Sequence, residues 1–196
     1  MTWGLQTLFP QPKRVVTFGP AFDRTDMRVE INGGGDDPLI ENGRRLVRSR
    51  SGTGDEAYRI EIQIDATDPL WPVGTTREEA YSIELRRAGG TLQAATLAGA
   101  YLGCQTFYHL LSDEVLPDAR IADWPDLRYR GLYIESKWGP DLMTLADWQE
   151  MIDDLARMKF NSVGIGVYGC WNVQSRRQPD RLRVLLVKSA FLRDLV

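Results

Sequence analysis

Residues 81–111, YSIELRRAGGTLQAATLAGAYLGCQTFYHLL, change hydrophobic period partway along. From Tyr81 to Leu85 apolar and polar residues alternate, as they do in a strand with one face buried and one wet. Ala88-Gly89-Gly90 then makes a short turn into Thr91-Leu92-Gln93-Ala94, the pattern of a hairpin. Beyond it Leu97, Ala100, Tyr101, Cys104, Phe107, Tyr108 and Leu111 recur at three and four, which predicts an amphipathic helix with Thr96 as its N-cap. A hairpin whose helix folds back on it is an α+β arrangement.

Working outward, the same alternation runs through Met27–Ile31 and Tyr58–Ile64, with Val15 and Phe18 earlier, so the segment predicts an antiparallel or mixed sheet, mainly antiparallel, with one packed helix. Turn-rich links lie between the strands. Gly33-Gly34-Gly35-Asp36-Asp37-Pro38 and Ser51-Gly52-Thr53-Gly54-Asp55 punctuate them. This accessory domain takes residues 1–117 and closes with a linker through Pro117.

After the linker the pattern changes again. Gly131-Leu132-Tyr133-Ile134-Glu135 is continuously apolar until its last residue and predicts a short buried strand. Thr144 then caps a helix, with Asp147 three residues on, and Leu145, Trp148, Met151, Ile152, Leu155 and Met158 form its stripe. Asn161 stands where a left-handed stop is expected, and Ser162–Tyr168 predicts a second strand. Strand, helix and parallel strand make a βαβ unit, which suits an open Rossmann sheet or the start of a (β/α)8 barrel, and spacing leaves both open.

No G-x-G-x-x-G joins the first of these strands to its helix, and the triple glycine at 33–35 is read as a loop that opens no helix, so nucleotide binding is disfavoured. The 196 residues carry 24 basic and 27 acidic side chains, a balance unsuited to phosphate-driven nucleic-acid binding. Two cysteines and one histidine, His109, exclude a zinc cluster and a disulfide framework, and neither metal nor organic cofactor is expected. His109 reads as a structural side chain beside its helix stripe, and Cys104 as a small hydrophobe on it. No apolar run reaches membrane-spanning length and no secretory leader is seen, so no membrane partner is expected and a cytoplasmic location is the default.

With those features in place, EEAYSIELRRAGGTLQAATLAGAYLGCQTFYHLL, then IADWPDLRYRGLYIES, then LARMKFNSVGIGVY, together resemble glycoside hydrolase family 20, the β-N-acetylhexosaminidases, over residues from about 14 to 172. Asp123-Trp124-Pro125, Tyr129-Arg130-Gly131-Leu132 and Lys159-Phe160-Asn161 are the most specific stretches; the hexosaminidases of family 84 are the nearest competitor. The resemblance implies an accessory domain at 1–117 and the first βαβ unit of an incomplete TIM barrel at 118–174. It also implies that Arg130 binds the 3- and 4-hydroxyls of a terminal N-acetylhexosamine, a task suited to a planar fork of donors. The structural alternative pairs Arg130 with a carboxylate such as Asp126. Glu135 stands where the family usually has aspartate at the strand end, and Trp171 is a candidate to stack on the sugar or line its pocket.

In the family the substrate's own acetamido oxygen attacks the anomeric carbon while an Asp-Glu pair orients it and supplies the acid and base. That pair is expected beyond residue 196, since Asp55-Glu56 and Asp113-Glu114 belong to the accessory domain. Too few residues follow Asp118 for a barrel of about 250. Residues 175–196, with six basic side chains against two acidic ones, read as out-of-frame sequence or, alternatively, a basic terminal helix. The partner is therefore an N-acetylhexosamine-containing glycan, with self-association through uncovered strands as a further expectation. A non-catalytic carbohydrate-binding or structural module is the alternative function.

Overall fold

A computed structural model describes residues 8–71, 73–135 and 143–166, and the chain divides into two units, Met1–Arg128 and Tyr129–Val196. In the first unit, six strands form one sheet in the order β1 (Arg14–Thr17), β8 (Ala119–Asp123), β5 (Tyr81–Arg86), β6 (Gly89–Ala94), β4 (Ala57–Gln63) and β3 (Arg28–Gly33). The pairs β1–β8, β8–β5 and β5–β6 are antiparallel, whereas β6–β4 and β4–β3 are parallel, so the sheet is mixed. A small antiparallel ladder, β2 (Phe22–Asp23) with β7 (Val115–Leu116), completes the strands among the described residues of this unit.

Two helices pack on the sheet where one was expected. The first, α1 (Pro38–Arg48), carries the chain from β3 to its parallel neighbour β4, a connection that needs a crossover. Its start is legible afterwards: the Asp37 side chain accepts from the Leu39 amide at 2.8 Å and Pro38 occupies the first turn, where no amide is needed. The triple glycine therefore does lead into a helix, correcting the loop reading. Gly33, Gly34 and Gly35 all have left-handed φ of 75–78°, and a Cβ at Gly33 would lie 2.4 Å from the Ile62 carbonyl oxygen. Nucleotide binding still has no support here, because the Asp37 carboxylate occupies the helix N-terminus and repels a phosphate.

Helix α2 (Leu97–Leu110) begins at Thr96 as expected, with the Thr96 hydroxyl accepting from the Gly99 amide. It is buried nearly all round rather than on one stripe, because sheet and α1 both pack on it. Gly43 of α1 allows that approach: a Cβ there would meet the Cys104 sulfur at 2.9 Å. The core fills this space with Ile40, Val47, Ile60, Ile83, Leu92 and Phe107, among others. At the far end of α2, Arg24 donates to the Asp113 carbonyl at 2.6 Å and also to that of Leu111, while Arg50 stacks 3.9 Å over the Tyr108 ring. Carbonyls left over by the last turn thus find cationic donors.

Strand β8 is an interior strand of this sheet, with Ile121 opposite both Val15 and Ile83. The composition break at Pro117 placed it in the second domain; the chain instead divides after Arg128. A strand whose backbone pairs on both sides cannot leave that sheet, whatever the local composition.

The second unit contains β9 (Gly131–Glu135), α3 (Leu145–Arg157) and β10 (Ser162–Gly166), with β9 and β10 parallel and Gly131 opposite Ser162. Thr144 caps α3 in a reciprocal capping box with Asp147. Bonds from the Thr144 amide and hydroxyl hold the Asp147 carboxyl below its ordinary value. Thr144→Ala removes the hydroxyl half of that exchange, keeping the backbone amide on the Asp147 carboxylate, and is expected to destabilise the unit by about 1 kcal/mol. Urea unfolding checks it; no change in midpoint would show that the cap contributes nothing.

Two details differ from the sequence reading. The left-handed residue after α3 is Lys159, φ 63°, and not Asn161. Strand β9 is not buried: Leu132 and Tyr133 are 38% and 63% exposed, because a parallel pair needs cover on both faces and one helix supplies it on at most one.

Candidate functional site

The candidate site residues fall on the second unit. Arg130 immediately precedes β9, and its backbone is held on both sides by the turn between α3 and β10. Its amide donates to the Asn161 side-chain oxygen at 2.9 Å, and its carbonyl accepts from the amides of Asn161 at 2.8 Å and Ser162 at 3.2 Å. The guanidinium is tied to the same turn, Nε donating to the Lys159 carbonyl at 2.7 Å. Gly131 follows because β10 starts so close: a Cβ there would lie 3.0 Å from the Ser162 carbonyl oxygen. The Arg-Gly pair and the Lys-Phe-Asn triplet, separated by about thirty residues in the chain, are thus one local structure.

The carboxylate weighed as a partner for Arg130, Asp126, is taken by Lys13 in the first unit. Glu135 closes β9 opposite Gly166, and only its backbone is described. Arg130 and Glu135 therefore stand at opposite ends of one strand, with α-carbons about 16 Å apart at the usual rise per residue. Trp171 and the tail at 175–196 lie outside the described residues. Among the described residues no cluster of histidine, cysteine and carboxylate side chains could hold a metal ion, and no helix is long and apolar enough to cross a membrane.

The first unit holds two buried polar networks whose members satisfy one another, whereas the side-chain oxygen of Gln105 on α2 is buried without a hydrogen-bond partner among the described residues. Asp68, whose side chain is wholly buried, accepts from the Ser82 hydroxyl at 2.5 Å, the Leu70 amide at 2.9 Å and Arg120 at 2.6 Å, while the Trp71 indole donates to Ser82 at 2.8 Å. Burial pushes the Asp68 carboxyl up, but those donors and the Arg120 charge outweigh it and hold it below the ordinary range. Asp123 accepts from the Tyr81 phenol at 3.1 Å and from the Lys13 amide at 3.2 Å, and Tyr81 also meets Thr106 of α2 at 2.5 Å. Burial and the Asp123 charge push the Tyr81 phenol well above its usual value. Asp123-Trp124-Pro125 is specific for a structural reason, since its carboxylate ties β8 to β5, to the chain before β1 and, through Tyr81, to α2.

Neither network was visible as such in the sequence. Ser82 stands at a strand position that alternation marks as solvent-facing, yet it is 2% exposed because Trp71 and the loop before β5 cover it. A shallow surface depression of about 480 Å³ lies at the ends of β3 and β4 and the start of α2, lined by Gly34, Ile64, Asp65, Thr96 and Leu97. The cysteine on α2 is not a nucleophile: burial pushes the Cys104 thiol up to about 12.

Comparison with known proteins supplies what geometry alone does not. Residues 5–124 match the family model described as glycosyl hydrolase family 20, domain 2. No curated protein matches the chain. Among solved structures, a chitobiase from Flavobacterium johnsoniae superposes with a TM-score of 0.61 at 22% identity, over 84% of this chain and 27% of the chitobiase. A family 20 β-N-acetylhexosaminidase from Streptomyces coelicolor superposes with a TM-score of 0.63 at 16% identity, over 83% of this chain and 35% of that enzyme. The protein CpGH84B also superposes, with a TM-score of 0.59 at 16% identity over 80% of this chain and 29% of its own. Likeness of fold therefore does not choose between the families, and the family-model match does. The chain spans about a third or less of the length of these structures.

Proposed function

Because the chain belongs to glycoside hydrolase family 20, we propose that it comprises the second domain and the opening strand–helix–strand of the catalytic barrel of an exo-acting β-N-acetylhexosaminidase. The supporting observation is the succession itself: a domain-2 fold, followed directly by a parallel βαβ unit that begins at Arg130-Gly131. In this reading the sugar's acetamido oxygen is the nucleophile, and the Asp-Glu pair that orients it and moves the proton lies outside these 196 residues.

The positions of Arg130 and Glu135 at opposite ends of β9 suit a dead-end pocket. A terminal sugar enters with its non-reducing end first, so its 3- and 4-hydroxyls reach the floor while the anomeric carbon faces the mouth. In this reading Arg130, whose guanidinium is anchored at the N-terminal end of the strand pair, is the floor donor. Glu135 is at the C-terminal end, where barrel active sites open, and Trp171 comes after β10 in the sequence. The alternative, a carbohydrate-binding or structural module, predicts the same lack of turnover but no downstream coding sequence for a barrel.

The test has two parts. Reading the coding DNA past codon 174 in all frames is expected to reveal further barrel strands with an adjacent Asp-Glu at a strand end; stops in every frame would favour the module. The purified chain is expected to bind N-acetylglucosamine without hydrolysing a chromogenic N-acetylglucosaminide, and Arg130→Ala to weaken that binding about tenfold or more, the scale of a lost charge-assisted hydrogen bond. Hydrolysis by this chain alone would place the catalytic pair within it. Undiminished binding by the alanine variant would remove Arg130 from the sugar.

A further inference from the structure

We infer that Asn161, on the turn from α3 to β10, is the residue that positions Arg130 for the sugar; this rests on the reading of Arg130 given above. Arg130 could make its contact only if both its backbone and its long side chain were held, since a free arginine loses much rotamer freedom on binding.

The turn holds both. Asn161 grips the Arg130 peptide groups from two sides, its side-chain oxygen accepting from the amide at 2.9 Å and its own amide donating to the carbonyl at 2.8 Å. Lys159 supplies the second anchor. Its left-handed backbone, φ 63°, ends the helix, and its carbonyl accepts from Arg130 Nε at 2.7 Å. A guanidinium is planar, so a bond at Nε restrains the plane of the whole fork.

Asn161 is suited to this because one side chain must accept while its backbone donates to the same residue. Alanine keeps the backbone bond and loses the acceptor. Aspartate keeps both, since its carboxylate accepts from the Arg130 amide in the same place. A residue that merely stabilised the turn would change melting temperature without changing how the folded protein binds sugar.

The experiment measures binding of N-acetylglucosamine to the full chain and to Arg130→Ala, Asn161→Ala and Asn161→Asp, by ligand titration in NMR, with amide exchange on β9 and β10 confirming that each is folded. Asn161→Ala is expected to raise Kd about tenfold, as loss of one hydrogen bond holding a charged group should, and Asn161→Asp to restore it to within about twofold. Equal binding by Asn161→Ala and the unmodified chain, with Arg130→Ala impaired, overturns the inference and leaves the sugar reading standing. Equal loss in the alanine and aspartate variants also overturns it, since the acceptor would then not matter. Absence of binding by the unmodified chain removes the sugar reading and this inference with it. If Asn161→Ala loses its β9 and β10 protection, Asn161→Ser, whose hydroxyl is too short to reach, takes its place with the same expected rise.

Discussion

Phe107→Ala is expected to lower the stability of the first unit by about 4 kcal/mol, the middle of the range for deleting a buried aromatic ring. Phe107 lies on α2, is 2% exposed and belongs to the main core. The helix is pressed between sheet and α1, so neither neighbour can close on the space without moving the other. Phe107→Leu, which keeps much of the volume, should cost only about 1 kcal/mol. Urea unfolding followed by far-ultraviolet circular dichroism reads both as shifts in midpoint at constant slope. A loss below 1 kcal/mol for the alanine variant would show that α2 does not sit in a packed core.

The second large effect is Asp68→Ala, at about 3 kcal/mol. It leaves Ser82 and the Leu70 amide without their acceptor and Arg120 without its counter-charge. Removing one side of a buried, hydrogen-bonded pair costs more than the pair contributes, because the remaining groups stay desolvated. Arg120 is 30% exposed and regains some hydration, which keeps the figure below that of a wholly buried partner. The pH dependence has a definite sign. Since the folded carboxyl is held below its unfolded value of about 3.9, its contribution is fully present above that value and is lost as pH falls through the lower folded one. Unfolding curves at pH 7 and pH 3 should therefore converge for Asp68→Asn relative to the unmodified chain. A variant that loses as much stability on acidification as the parent would assign the acid sensitivity to other carboxylates.

How much of this was legible depends on the range over which each signal acts. Alternation at Tyr58–Ile64 and Tyr81–Leu85 identified strands, but alternation is the same for parallel and antiparallel neighbours. The parallel pairing of β3, β4 and β6 had to come from the structure. Helix α1 escaped because its buried stripe runs through Gly43, which interrupts the apolar count and is there to admit Cys104 of the facing helix. Thr96 and Thr144 were recognised because a cap acts within four residues.

At the candidate site, Arg130-Gly131 and Lys159-Phe160-Asn161 were recognisable as motifs, yet nothing in either says that they touch. Asn161 was assigned the left-handed stop, which Lys159 makes, and its actual partner is 31 positions away. The carboxylate of Asp123 stands out in its motif without its partners, and no local pattern around Asp68 marks it as a buried hub.

The sequence by itself determined the class of the long elements apart from α1, the α+β character of the first domain, the capped helix between two strands in the second, and the family to which the motifs belong. Periodicity, caps and turns act over a few residues, and apolar faces bury themselves regardless of partner. Strand order, the mixed direction of the sheet, the place of β8 and the joining of Arg130 to Asn161 were decided only in three dimensions. Each depends on which distant backbone groups and buried side chains satisfy one another, and no local stretch of chain carries that choice.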